Sequence, residues 1–171
     1  MKIIFIILTL FTKPVLFSQS LSQTKMTAFK KKEMEIVKLL KYDEEFDEIF
    51  SKRKEAREKL IAFCQLDSSH FYPFDSLRNY SNFKISADQK VRIISWDLVT
   101  GGTWHDYASI AHYDSLGYGR SINLHEKNCY MSDCEYEDVS VYDIFDIQQS
   151  EKTYYLTFGY GTHGSGHHHR T

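Results

Sequence analysis

Residues 91–113 read VRIISWDLVTGGTWHDYASIAHY, two β-branched and aromatic runs on either side of Gly101-Gly102. Such runs, bounded by a glycine turn, are the signal of two neighbouring antiparallel strands. The first run, 91–98, loses its alternation at Ile93-Ile94, which predicts a bulge. Along the second, 104–113, Trp104, Asp106, Ala108, Ile110 and His112 share one face. His105, Tyr107, Ser109, Ala111 and Tyr113 share the other. His105 and His112 are therefore expected to diverge, and His105 and Asp106, as strand neighbours, point apart and form no catalytic dyad.

Outward from this pair the same period continues. Residues 84–87 are short and extended, 87–90 form a turn, and 115–119 turn again before an extended stretch over 120–125. A polar loop over 126–137 follows. Val139, Val141, Phe145 and Ile147 then alternate with polar residues, residues 148–152 turn, and 154–160 make a last strand.

Upstream the period is helical. Phe29, Ile36, Val37 and Leu40 form one stripe behind a possible N-cap at Thr27, and a second helix is expected over 43–66. Its stripe is Phe46, Ile49, Phe50, Leu60, Ile61 and Cys64, with a favourable Glu55–Lys59 pair on its charged side. Residues 67–69 break the helix, and the aromatic connector 71–77 is expected to pack under the sheet. The fold class is α+β: an N-terminal helix pair followed by an antiparallel β-meander of five or six strands.

The opening residues carry a separate signal. Met1-Lys2 is a short basic start, residues 3–11 are almost entirely apolar, and Lys13-Pro14 end the run before small residues at Ser18 and Ser20. This is the pattern of a secretory signal peptide and is too short for a stable membrane span. The expected organisation is a signal peptide over 1–18, a flexible leader over 19–26, and a single domain over 27–171. Removing residues 1–18 takes away Lys2 and Lys13 and leaves 19 basic against 23 acidic residues, a net of −4. That balance offers no general attraction for nucleic acid or an anionic membrane. Location is expected to be secreted or periplasmic, with no stable membrane insertion after cleavage.

Cysteine usage agrees with export. Cys129 and Cys134 can close a small disulfide loop, remain free thiols, or join His125 at a metal, whereas Cys64 sits in a helical apolar stripe as a buried thiol.

The 171 residues include 12 Tyr and 12 Phe, enough aromatic surface to suggest a contact sheet for a protein or glycan partner. Trp96, Trp104, His105 and Tyr107 are the candidate ligand-contact residues. Ser95-Trp96-Asp97 looks like a propeller-blade motif, but it occurs once and a propeller needs several copies. The sequence has no Gly-x-Ser-x-Gly elbow, phosphate-binding glycine loop, His-Glu-x-x-His or dinucleotide fingerprint. Asp143 and Asp146 are available carboxylates of the kind any exposed strand supplies. A non-catalytic binding or structural module without a cofactor is the first reading. The alternative is a metal-binding protein or metal-dependent hydrolase holding zinc or another divalent transition metal on His163, His167, His168 and His169.

Ser95-Trp96-Asp97, residues 101–105 (GGTWH), Tyr154-Tyr155-Leu156 and residues 159–166 (GYGTHGSG) together resemble a group of uncharacterised secreted proteins of Bacteroidota, and the 72–77 connector is similar too. The resemblance covers roughly residues 30–171. It implies export and a common fold and assigns no activity. Members of the group continue into further strands after the histidine-glycine segment, so this chain is expected to be a shortened version of the domain.

Overall fold

The computed structural model describes residues 21–41, 46–99, 103, 105–115, 118–124, 139–163 and 166–170, without the side chains of residues 46, 47, 50, 163, 168 and 170. Among the described residues two helices come first, α1 (Gln23–Leu40) and α2 (Phe46–Cys64). Helix α1 begins inside the stretch read as a leader. Its cap is Ser22, whose Oγ accepts from the Lys25 N–H at 3.3 Å, while the Thr27 hydroxyl turns back onto Gln23 O inside the helix. Phe29, Ile36, Val37 and Leu40 are buried as the helical period requires, and Ile49, Leu60 and Cys64 of α2 are buried with them.

The connector after α2 contains two short 3-10 turns, Ser69–Phe71 and Leu77–Asn79. It does pack into the core. The Phe63 ring lies 5.0 Å from Phe29 and 4.9 Å from Phe74, and Tyr72 sits at 5.6 Å from both Phe29 and Phe63. Glu33 falls on the same stripe of α1 as the apolar residues and is also fully buried. It accepts hydrogen bonds from Tyr72 Oη (2.7 Å) and from the backbone N–H groups of Ser76 (2.7 Å) and Leu77 (2.8 Å), and Lys30 Nζ reaches it at 3.1 Å. Burial alone would push this carboxyl up. The bonds from Tyr72, the Leu77 amide and Lys30, together with the Lys30 charge, outweigh that and hold it below its ordinary value.

Among the described residues, seven antiparallel strands follow in two sheets. The first has the order β1 (Asn82–Ile85), β2 (Val91–Asp97), β3 (Tyr107–Ser115), β4 (Tyr118–Asn123). The second has the order β5 (Ser140–Gln149), β6 (Lys152–His163), β7 (Gly166–Arg170). The α+β architecture is thus as expected. The meander, however, divides into two sheets, and the histidine segment beyond the expected last strand at 154–160 lengthens β6 and supplies β7.

The expected bulge at Ile93-Ile94 is absent. β2 pairs with both β1 and β3 in unbroken register. Ile94 and Trp96 face the helices with Ala108 and Ile110, whereas Ile93 packs with Ala111 of β3 and with Val139, Val141 and Ile144 on the side of the second sheet. A strand covered on both faces needs no polar alternation. The irregularity falls in β5 instead, between Val141 and Asp143.

Polar side chains join the two sheets. Buried Ser109 Oγ lies 2.7 Å from both Ser95 Oγ and Val139 O, and the Val141 N–H donates to Ser95 Oγ at 3.2 Å. The β1–β2 turn donates its Ala87 and Asp88 N–H groups to the Asp146 carboxylate at 3.1 and 2.8 Å, and Tyr155 Oη donates to Asp88 at 2.9 Å. Gly119 marks a third close approach. A Cβ there would stand 2.1 Å from Ser69 Oγ and 2.2 Å from Cys64 O, so only glycine lets β4 lie against the end of α2.

Candidate functional site

The inner face of the second sheet is spent on packing, with Val141, Ile144 and Tyr155 turned toward Ile93 and Ala111. Its outer face carries large exposed side chains. Strand alternation and the β5–β6 register place Phe145 opposite Leu156 and Ile147 opposite Tyr154. These four side chains are 51, 36, 45 and 50% exposed. Phe158 extends the patch, its ring edge-on to Phe145 at 5.4 Å. Further along β6, Tyr160 lies opposite His169 and Thr162 opposite His167. Exposed Tyr142, at the bulge, touches Tyr160 and His169, each at 6.3 Å between ring centres. One continuous face therefore grades from aliphatic and aromatic side chains near the β5–β6 turn, through tyrosines, to imidazoles at its far end.

His105 joins that far end. Its backbone N–H donates to Thr162 O at 2.9 Å in an isolated antiparallel bridge, so the segment before β3 pairs with β6 where β5 has ended. His105 Nδ1 lies 2.7 Å from Asp97 Oδ2, and Asp97 Oδ1 accepts the Val99 N–H at 2.7 Å. The carboxylate is thus fixed at one oxygen and holds a half-exposed imidazole with the other, leaving His105 Nε2 as the atom able to meet a ligand. The carboxylate that meets His105 is Asp97, a residue the sequence reading does not pair with it. The signal lay in the strand register. Asp97 pairs with Tyr107, so His105, two residues before Tyr107 and on its face, comes within reach of Asp97.

The remaining candidates separate. Trp96 is buried on the opposite face of the first sheet, its Nε1 3.4 Å from Arg53 O. Tyr107 is nearly covered, stacked on His105 at 6.3 Å and edge-on to Tyr160 at 5.9 Å. Trp104, His125, Cys129 and Cys134 lie outside the described residues, as do the side chains of His163 and His168. His167 and His169 are exposed on β7. Among the described residues, no three His, Cys, Asp or Glu side chains gather as a ready metal cage, and no helix is long and apolar enough to cross a membrane. Asp146 is occupied by backbone amides, and Asp143 accepts from the Ile144 N–H at 2.9 Å, so the two carboxylates are not paired for acid–base work.

His112 belongs to the helix-facing core, opposite to His105 as expected. It is fully buried against Ser69 Oγ at 3.1 Å and against the His70 ring at 5.4 Å. Burial, followed by the charges of His70 and Arg92, pushes its pKa down to about 3, which keeps the imidazole neutral. Burial likewise pushes the Cys64 thiol well above its ordinary range and makes it an inert packing group. Comparison of the chain with protein-family models, with curated proteins and with solved structures returned no match.

Proposed function

We propose that this protein is an exported, non-catalytic binding module that engages a protein partner through the outer face of its second sheet. The supporting observation is the pair of directly opposed cross-strand contacts, Phe145–Leu156 and Ile147–Tyr154, left a third to a half exposed. Contiguous apolar surface of this kind costs solubility and is characteristic of contact surfaces. A protein surface suits it better than a glycan, because Ile147 and Leu156 offer nothing to sugar hydroxyls. The tyrosines and the Asp97–His105 pair give the polar rim that such an apolar patch needs to orient a partner.

A photoreactive amino acid placed at residue 145 or 154, in cells exporting the protein, tests this directly. Both positions should cross-link to the same discrete partner band, and a control position at Lys38 on α1 should not. Equal cross-linking from Lys38, or none from the sheet face, overturns the proposal. Selective retention on a polysaccharide, abolished by Tyr142→Ala, would reassign the ligand to a glycan.

A further inference from the structure

We infer that β7 carries a two-point chelating site for a divalent transition-metal ion, formed by His167 and His169, a role separate from partner contact on the apolar part of the same face. The two residues are two apart on a paired strand, so their side chains leave the same face, and both are exposed. Same-face neighbours on a strand stand about 6.5–7 Å apart. Two imidazoles tilted toward each other close that gap to the roughly 3 Å between nitrogens that metal bonds of about 2.0–2.1 Å require.

The surroundings favour this use. Thr162, directly opposite His167, places its Oγ1 3.3 Å from His167 Nδ1. When Nδ1–H donates to that hydroxyl, Nε2 carries the lone pair that binds metal, the arrangement in which an outer partner sets the tautomer. His169 is steadied by edge-on contact with Tyr142. Two imidazoles leave the other coordination positions to water or to a donor from a partner. Such a site takes Cu²⁺ most tightly and Zn²⁺ or Ni²⁺ less so.

The experiment is a Cu²⁺ titration of the purified chain without an affinity tag, followed by calorimetry and by the nitrogen couplings in its electron paramagnetic resonance spectrum. One ion per chain with two coordinated imidazole nitrogens is expected. His167→Gln or His169→Gln should each weaken binding at least tenfold. His163→Gln combined with His168→Gln should leave it unchanged. The decisive variant adds His169→Ala and Arg170→His to the chain already carrying His163→Gln and His168→Gln, which keeps that chain's number of imidazoles but moves one to the other face of the strand, away from His167. It should lose as much affinity as His169→Gln. If it binds like the parent protein, or if the variant lacking His163 and His168 loses the ion, the metal is held by an unordered histidine tract and the chelate is refuted. Thermal melts of each variant confirm that β6 and β7 remain folded. Failure of the parent chain to bind the ion, with the sheet-face cross-links intact, would reject this inference alone.

Discussion

The helix-facing side of the first sheet and the outer face of the second use similar side chains to opposite ends. On the first, Phe29, Phe63, Tyr72 and Phe74 interlock, and even a carboxylate is admitted because Glu33 is given four donors. On the second, Phe145, Ile147, Tyr154 and Leu156 pair across two strands, with Phe158 edge-on to Phe145, and stay open to water. The difference teaches that apolar content does not by itself make a core. A core needs a second layer, and α1 and α2 supply one to the first sheet only.

The comparison is broken most severely by Glu33→Ala. It strands the Tyr72 hydroxyl and the Ser76 and Leu77 amides in the core and should cost about 3–5 kcal/mol in urea unfolding. A loss under about 1 kcal/mol would mean that the buried network contributes little. Acid provides the next largest effect. His112 titrates near 3 when folded but near 6.5 when exposed, so the unfolded chain binds more protons between those values. The stabilisation is complete above about pH 6.5 and is lost progressively as pH falls toward 3. His112→Gln should flatten that slope in a series of thermal melts, and an unchanged slope would assign the acid sensitivity elsewhere.

The smallest effect on stability belongs to the open face. Phe145→Ser with Leu156→Ser should shift unfolding by less than about 1 kcal/mol while abolishing the sheet-face cross-links. A cost comparable to that of Glu33→Ala would show that this face is covered in the folded protein.

Much of the fold was legible in local pattern. Phe29, Ile36, Val37 and Leu40 recur at the helical period, and their burial follows from it. The Ile93-Ile94 step was misleading because adjacent apolar residues look the same whether a strand bulges or is covered twice. Of the site, His105, His167 and His169 were visible as residues, but not as members of one face. Trp96 was conspicuous in the sequence and proves to be core.

The sequence alone determined helices before strands, the faces of β3 and the divergence of His105 from His112, because side-chain direction is fixed by the backbone period, whereas the bulge in β5 buries Val141 and turns Phe145 and Ile147 outward. Tertiary structure alone decided that the strands split into two sheets, that Asp97 meets His105, and that β7 forms on β6. Those outcomes depend on register and on which surfaces find a second layer, and both are contacts between residues distant in the chain.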